Sequence, residues 1–348
     1  MSPGFLQMLA LVLCLTLTPT AQAVSNSGFP SCVPRSSAPG VGLTLTGQSP
    51  LDARTTDLAF SSMAMGATEH VAVMLPVGYT PTRRYPTLYL LAGAFGSDTD
   101  YLTHGVEPLV GTMPMIVVMT DADVAGSYTD WFGQMAVVGP ATPPPAWETY
   151  HTAELIPWID AHYPTIASAG GRAVAGLSMG GLGALKYPAA HPGLFGAAGS
   201  FSGNVDLELS WPVEPAIEEA LWSLSLLPAY GPPAFCTWGD PVLQHGVWQR
   251  NDPTAQAAHL KGVQLVLASG NGNPGPLDSP SDPNQQIEGS TEKSILAQNQ
   301  ALVQALDAAG IPHTDDFYGN GTHSWPYWIA DLGVFLPWLT THLPGLAS

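Results

Sequence analysis

Short apolar runs that end in turn residues recur along this chain and alternate with segments of helical periodicity. Runs of this kind are typical of strands buried on both faces of a parallel sheet. Strand-like runs occur at residues 43–46, 70–75, 85–91, 115–120, 172–175, 194–200, 263–268 and 312–318. Strands that alternate with helices predict an α/β fold, in which a mostly parallel central sheet is covered by helices on both faces.

Apolar positions at helical spacing predict the helices of this fold. The clearest are residues 147–161, residues 291–309 and the aromatic terminal segment 325–341. Residues 205–250 interrupt the alternation and predict a helical excursion after the sixth strand; their tryptophans are Trp211, Trp222 and Trp238. Residues 271–284 are rich in Gly, Asn, Pro, Asp and Ser, which predicts a loop.

The N-terminal segment has the layout of an export signal. An apolar run at residues 8–17 is followed by Ala21-Gln-Ala23, which is typical of a secretory signal peptide cleaved after Ala23. We therefore expect a signal peptide over 1–23, a flexible Ser-, Pro- and Gly-rich tether over 24–41, and one catalytic domain over 42–345. Since later apolar runs are too short to cross a bilayer, we expect a protein that is secreted or held in the cell envelope, without an integral membrane segment.

The chain is strongly acidic, and its cysteines are few. It has 27 Asp and Glu against 9 Lys and Arg, for a net charge of −18. Such a field disfavours nucleic acid as a partner. Export would leave only Cys32 and Cys236, and an oxidising compartment permits a disulfide between them. Their connectivity does not follow from the sequence and stays open.

The most informative motif is Gly176-Leu-Ser-Met-Gly-Gly181, which lies between a predicted strand and a predicted helix. A serine on such a sharp turn projects its hydroxyl above the sheet edge, and the flanking glycines let strand and helix approach closely. Ser178 is therefore the candidate nucleophile. The amide of Met179 lies at the helix N-terminus, where backbone donors can stabilise an oxyanion.

A serine nucleophile needs a histidine as base, and in folds with this turn the chain order is serine, acid, histidine. The histidines between the elbow and the last helix are His245, His259, His313 and His323. His323 lies in the Gly-rich loop 319–325 directly before that helix, so a loop can bring its ring over the sheet edge. We predict His323 as the base and a structural role for His313.

The acid that orients this histidine has several candidates. Asp278 and Asp282 lie in the loop after the strand at 263–268, and Glu288 follows shortly after. On the helix 291–309, however, Glu292 shares one stripe with Ile295, Leu296, Asn299, Val303 and Leu306. An inward-facing carboxylate must be paired, and a loop histidine is a suitable partner. The pattern favours Glu292 and leaves the other three as alternatives.

The second oxyanion donor is expected from the loop after the first central strand, residues 91–96, with the amide of Ala94 as the candidate. The segment Asp121-x-Asp123-x-x-Gly126 resembles the start of a calcium loop, but Ala125 and Phe132 stand where ligands belong. We expect no metal and no organic cofactor.

Several motifs, taken in order, resemble the antigen 85 mycolyltransferases of the esterase D-like branch of α/β-hydrolases. They are Tyr89-Leu-Leu-x-Gly93, Ser127-Tyr-Thr-Asp-Trp131, Trp147-Glu-Thr-Tyr-x-x-x-Glu-Leu155, Gly176-Leu-Ser-Met179, Trp238-Gly, Arg250-Asn-Asp-Pro-Thr254, Gly270-Asn-Gly272 and Asn320-Gly-Thr-His-Ser-Trp-x-Tyr-Trp328. The resemblance covers residues 85–340 and implies an α/β-hydrolase fold. It places the family's serine on Ser178, its histidine on His323, and its glutamate, thirteen residues before Ala305, on Glu292.

One motif departs from this family. Where antigen 85 proteins carry Leu-Asp-Gly-Leu-Arg, whose Asp and Arg help to bind trehalose, this chain has Leu91-Ala-Gly-Ala-Phe95. Apolar residues therefore replace both sugar-binding groups, and Phe95, Trp131 and Trp325 become candidate contacts for a small-molecule or lipid ester. We expect a secreted serine esterase. The alternatives are an acyltransferase that uses a sugar or lipid hydroxyl and, in a different class, a non-catalytic surface-binding protein.

Overall fold

A computed structural model describes residues 32–122, 126–135, 143–210 and 236–346 of the chain. The predicted signal peptide and the first part of the predicted tether lie outside these residues, as do Trp211, Trp222 and Asp123. In the described ranges the strands are β1 (Cys32–Pro34), β2 (Leu43–Pro50), β3 (Thr55–Ser62), β4 (Ala67–Met74), β5 (Thr87–Leu91), β6 (Ile116–Thr120), β7 (Gly133–Met135), β8 (Arg172–Leu177), β9 (Ala197–Phe201), β10 (Gln264–Gly270) and β11 (Thr314–Gly319).

Nine of the described strands form one sheet in the order β11-β10-β9-β8-β5-β6-β4-β3-β2. The six strands from β11 to β6 are parallel, whereas β4, β3 and β2 join them as an antiparallel edge. The parallel strands carry the continuous apolar runs that predicted them, since β5, β6, β8 and β9 are buried along their whole length. The carboxyl ends of these strands therefore meet at one edge of the sheet.

Helices cover both faces of this sheet. They are α1 (Asp100–Thr103), α2 (Val106–Val110), α3 (Trp147–Thr149), α4 (Ile156–His162), α5 (Met179–Ala190), α6 (Leu207–Ser210), α7 (His245–Asn251), α8 (Gln285–Ala309) and α9 (Trp325–His342). A π-helical turn, Tyr150–Leu155, connects α3 to α4. Short 3₁₀ turns lie at Ala169–Gly171 and Ala257–Leu260.

Alternate residues of each parallel strand contribute to two separate cores. Tyr89 and Leu91 pack in the core that contains α5 and α8, whereas Leu88 and Leu90 pack in the core beneath α9. Successive side chains of a strand point to opposite faces, so two helical layers bury both sides of the sheet. This confirms the predicted α/β-hydrolase architecture. None of the helices in the described ranges is both long and apolar enough to cross a membrane.

The antiparallel edge contains a strand that the sequence analysis missed. Strand β3 buries Leu58 and Phe60, but the other positions it buries, Thr55 and Ser62, are polar. Two large apolar residues are too few to produce a recognisable alternation. The partners on either side, β2 and β4, supply the backbone hydrogen bonds that make this segment a strand.

The N-terminal end of the described chain is attached to the domain. Residues 32–34 of the expected tether form β1, which pairs antiparallel with β7. Cys32 is bonded to Cys236, which lies 204 positions away and is fully buried. The pairing that the sequence left open is therefore present. The predicted helical excursion contributes α6 and α7 to the described residues, and its centre lies outside them.

Candidate active site

The candidate nucleophile stands on a strained turn between β8 and α5. Ser178 has a φ of 53°, a left-handed conformation that non-glycine residues rarely adopt. A Cβ on Gly176 would lie 2.3 Å from the carbonyl oxygen of Gly180, and one on Gly180 would lie 2.1 Å from that of Leu91. Both positions require glycine because backbone passes directly over them. The motif thus produces a strand-turn-helix elbow with its serine at the carboxyl edge of the sheet.

A continuous chain of hydrogen bonds leads from this serine to a buried acid. Ser178 Oγ lies 2.8 Å from His323 Nε2, and His323 Nδ1 lies 2.7 Å from Glu292 Oε2. A carboxylate only accepts, so Nδ1 donates to Glu292 and Nε2 is left to accept from the serine hydroxyl. The imidazole is 12% exposed and the glutamate side chain 0% exposed. This is the arrangement in which a histidine can remove the serine proton.

The other oxygen of the acid is held by three donors. Glu292 Oε1 accepts hydrogen bonds of 2.8 Å from Ser202 Oγ, from Ser269 Oγ and from the backbone N–H of Gly270. A fully buried carboxylate would be costly without such partners. Ser202 follows β9 and Ser269 belongs to β10, so two neighbouring strands fix the acid that α8 presents. The sequence analysis missed both serines because no local pattern distinguishes them from other serines at strand ends.

The alternative acids lie nearby but are engaged elsewhere. Asp278 accepts hydrogen bonds from Thr322 Oγ1 at 2.5 Å, Tyr327 OH at 2.8 Å and the Gly275 N–H at 2.6 Å. It therefore holds the loop that carries His323 without contacting the ring. Asp282 caps the following turn through the Asn284 N–H at 2.8 Å.

Glu288 is an acidic neighbour of the site whose own pKa is shifted. Its backbone oxygen accepts the His323 N–H at 3.2 Å. Burial of its half-buried side chain, followed by repulsion from Asp282, raises the pKa of its carboxyl to about 7, although His323 partly opposes this shift.

The two candidate oxyanion donors, the backbone amides of Ala94 and Met179, belong to segments that adjoin the serine. Met179 is the first residue of α5, so its N–H has no partner within the helix. Ala94 lies in a turn closed by a 3.0 Å hydrogen bond from the Gly96 N–H to the Gly93 carbonyl. This turn is pressed against the elbow, since a Cβ on Gly93 would lie 3.5 Å from that of Ser178. Phe95, at its tip, has a φ of 64°.

The aromatic candidates for substrate contact differ in exposure. Trp325 begins α9, two residues after His323, and stacks on His104 with a centroid distance of 3.8 Å. Phe95 is half-buried and lies on the oxyanion turn. Trp131, in contrast, is 3% exposed and packs in a hydrophobic core. A side chain with so little surface contributes to packing, so its burial argues against the substrate contact that we expected.

The remaining candidate residues lie away from this chain of hydrogen bonds. His245 pairs with Glu208 on the surface at 2.7 Å, and His313 bonds to the Ile311 carbonyl at 3.0 Å. His259 is exposed on a 3₁₀ turn. Within the described part of the chain, no group of three or more His, Cys, Asp or Glu residues is arranged to hold a metal ion.

The fold and the site together define an α/β-hydrolase, and comparison with known proteins identifies its family. The profile of a family described as "Putative esterase" matches residues 62–339, so this chain belongs to that family. It is 34% identical over 278 residues to Esterase Rv1288 of Mycobacterium tuberculosis, an alignment that covers 79% of this chain and 57% of that protein. The chain thus spans little more than half the length of that relative.

A second kind of relative is an acyltransferase. The chain is 34% identical over 258 residues to the diacylglycerol acyltransferase/mycolyltransferase Ag85B of Mycobacterium leprae, covering 72% of this chain and 74% of that protein. The predicted resemblance to the antigen 85 and esterase group is therefore confirmed. The chain belongs to a group of hydrolases that contains both esterases and acyltransferases.

Solved structures agree on the fold. An S-formylglutathione hydrolase from Agrobacterium tumefaciens matches with a TM-score of 0.62 at 16% identity, covering 86% of this chain and 99% of that one. Mycobacterium tuberculosis MPT51 matches with a TM-score of 0.58 at 24% identity, covering 80% and 95%. A ferulic acid esterase matches with a TM-score of 0.58 at 22% identity, covering 83% and 98%. At these identities the likeness concerns the fold alone.

Proposed function

We propose that this protein is a secreted serine carboxylic-ester hydrolase that acts through an acyl-enzyme. The observation that carries the proposal is the hydrogen-bonded chain from Ser178 through His323 to Glu292, with the serine on a strained elbow. A non-catalytic surface-binding protein would have no use for a nucleophile, a base and a buried acid in this order. The membership of the esterase family supports the same reaction class.

In the proposed mechanism, Ser178 Oγ attacks the acyl carbon while its proton passes to His323 Nε2. The positive imidazole that results is stabilised by Glu292, which accepts its Nδ1–H at 2.7 Å. The amides of Ala94 and Met179 donate to the oxygen that becomes negative. The intermediate collapses as His323 returns the proton to the leaving alcohol, and water then releases the acid by the same steps in reverse order.

Because the oxyanion turn is apolar, it supports a substrate ester whose binding does not depend on recognition of a sugar. Ala92 is fully buried, so the position where antigen 85 proteins carry Asp offers no exposed polar group. Phe95 and Trp325 instead supply apolar surface beside the elbow. A small-molecule or lipid ester fits this composition, and we propose no metal and no organic cofactor for its hydrolysis.

A specific observation keeps acyl transfer as a second candidate. Relatives such as Ag85B of Mycobacterium leprae carry the name diacylglycerol acyltransferase/mycolyltransferase at 34% identity. In such a reaction a sugar or lipid hydroxyl would replace water in the second step, and the residues of the first step would be unchanged. Product analysis with and without an added hydroxyl acceptor distinguishes the two reactions.

Export is part of the proposal. It is supported by the signal-like layout of residues 1–23 and by the Cys32–Cys236 disulfide, a bond that persists in oxidising compartments. The net charge of −18 supports a location away from nucleic acid, and association with the cell envelope is consistent with lipid esters as substrates.

The proposal is tested with p-nitrophenyl esters of increasing acyl length, using Ser178→Ala and the exposed-site control Ser168→Ala. We expect Ser178→Ala to lower kcat by about 10⁴ to 10⁶ while the fold is kept, because loss of the nucleophile disables the whole chain of hydrogen bonds. The control should match the wild type. Near-normal hydrolysis by a folded Ser178→Ala protein would refute the serine mechanism. Faster acyl transfer to trehalose or glycerol than to water would replace the esterase with the transferase.

A further inference from the structure

A cavity of about 420 Å³ opens at the same sheet edge as the candidate active site but is absent from the mechanism above. Its walls come from the start of β4, from the segment that follows the oxyanion turn, and from the segment that follows β6. This volume lies within the range of small-molecule sites. The cavity is therefore large enough for an organic group.

Negative side chains dominate this cavity. Glu69, Asp98 and Asp121 all line it, and the first two are only 5% and 8% exposed. Of the described lining residues, His70 alone is basic, and Asp57 already engages its Nδ1 at 3.0 Å. Three carboxylates that line one cavity favour a positive group within it.

Asp98 gives the observation that points to a ligand. Its side chain is more than nine-tenths buried and faces the cavity, and within the described residues its carboxylate bonds to no group except its own backbone amide. Burial, reinforced by repulsion from Asp57, raises the pKa of this carboxyl to about 6, although the nearby His70 partly opposes this shift. A buried carboxylate without partners is costly, and native proteins rarely keep one without a use.

The lining favours an organic cation over a metal ion. Among the described residues no group of three or more His, Cys, Asp or Glu could hold a metal ion, whereas the volume of the cavity admits an organic group. Trp147, which is only 2% exposed, contributes a small part of the apolar lining. A primary ammonium or a guanidinium supplies several donors directed at separate acceptors, which matches carboxylates on three walls.

The position of the cavity relates it to the candidate nucleophile. Ser178 follows β8, the oxyanion turn follows β5 and Asp121 follows β6, while Glu69 lies on β4 beside the carboxyl end of β6. These four strands are consecutive in the sheet. The distance across the sheet from β8 to β4 is three spacings between neighbouring strands, or about 14 Å. A 3.4 Å hydrogen bond from the Ala122 N–H to the Gly96 carbonyl joins the segment after β6 to the turn.

We propose that this cavity is a subsite for the positively charged group, a primary ammonium or a guanidinium, of an ester whose scissile carbonyl lies at Ser178. The proposal rests on the esterase function proposed above and names a substrate class for it. It assigns Asp98 as a residue that determines specificity, because within the described residues no other residue forms a hydrogen bond with its carboxylate, which would contact the cation directly.

Binding is measured first, without turnover, by calorimetric titration of hexylguanidinium into the full-length protein. Asp98→Asn keeps the shape of the side chain and should weaken binding about tenfold or more, since hydrogen bonds between charged groups are among the strongest. Asp307→Asn, a matched change at an exposed position on α8, should leave binding unchanged. Thr68→Lys, at an exposed lining position, places an ammonium in the cavity and should abolish binding.

Turnover is measured second, with p-nitrophenyl esters of ω-amino acids of increasing length, each compared with the unsubstituted acyl ester. We expect kcat/KM to favour the amino ester once its chain is long enough to reach Asp98, and Asp98→Asn to remove this preference, whereas Asp307→Asn should keep it.

The outcomes separate the two proposals. Equal binding of hexylguanidinium by the wild type and folded Asp98→Asn would overturn the subsite, as would an absence of amino-ester preference in an otherwise active enzyme. If hexylguanidinium binds through Asp98 but no ester is hydrolysed, the esterase function fails, and with it the assignment of the cavity to a substrate. If hydrolysis depends on Ser178 but not on the cation, the esterase function stands and the subsite falls.

Discussion

Replacing Glu292 with glutamine tests the candidate acid with almost no change in side-chain shape. In the native arrangement the carboxylate accepts the His323 Nδ1–H at 2.7 Å, and this bond leaves Nε2 free to accept the Ser178 proton. A glutamine that turns its NH₂ group toward the histidine would favour the tautomer with the proton on Nε2. The base would then be blocked although every atom remained nearly in place.

The expected magnitude follows from this change of tautomer. In serine proteases the equivalent change from acid to amide lowers kcat by about 10⁴, which corresponds to ~5.5 kcal/mol of transition-state stabilisation. The cost in stability should be smaller. If the glutamine turns the other way, its NH₂ group meets the N–H of Gly270 and the hydroxyls of Ser202 and Ser269, and one unmade buried hydrogen bond costs about 1–3 kcal/mol.

The assay compares steady-state hydrolysis of p-nitrophenyl butyrate with urea unfolding of the same protein. Glu292→Gln should lose about 10⁴ in kcat and only a few kcal/mol in the free energy of unfolding. Asp278→Asn is the control, because Asp278 holds Thr322 and Tyr327 without contacting the His323 ring. If Glu292→Gln stays within about tenfold of the wild type, or if Asp278→Asn is the more damaging change, the assignment of the acid is wrong.

Three further predictions concern the frame around the site. The pKa of Glu288 is raised to about 7, so this carboxyl holds its proton more tightly in the folded chain than in the unfolded one, and its contribution to stability declines as pH rises from 4.5 toward 7. Glu288→Gln should therefore raise Tm at pH 8 but not at pH 4. An equal effect on Tm at both pH values would contradict this reasoning. Reduction of Cys32–Cys236, which closes a loop of 204 positions, should lower the free energy of unfolding by about 2–5 kcal/mol in denaturant titrations, whereas an unchanged midpoint would show that the bond constrains nothing. Gly180→Ala should lower both soluble yield and Tm, because its Cβ would meet the Leu91 carbonyl at 2.1 Å, and a wild-type Tm would show that the elbow can relax.

Much of the fold was predictable because its signals are local. The central parallel strands are short apolar runs, and burial on both faces is why they are continuous instead of alternating. The elbow could also be predicted from the sequence. Glycine is needed at positions 176 and 180 because backbone from a few residues away and from the adjacent strand leaves no room for a Cβ. Strand β3 was missed because its strand character comes from pairing with β2 and β4, which its own residues scarcely indicate.

Within the site, the sequence by itself determined the chemistry that each local segment offers: a serine on a sharp turn, a histidine in a loop before the last helix, and a carboxylate on the inward stripe of a helix. It did not determine which of Glu292, Asp278, Asp282 and Glu288 meets His323, because all four lie within one short segment and differ only in direction. The tertiary structure decided this, since Ser202 and Ser269 enclose Glu292 while Thr322 and Tyr327 engage Asp278.

The same distinction applies to the disulfide, the buried tryptophan and the acidic cavity. Cys32 and Cys236 meet, Trp131 is buried, and Asp98 comes to line one cavity with Glu69 and Asp121, because segments far apart in the chain pack together. Hydrophobic periodicity records which face of a segment is buried, but it carries no information about the segment on the other side. For this protein the sequence determined the elements and the candidate chemistry, and only the packing of those elements against one another decided which polar groups became partners.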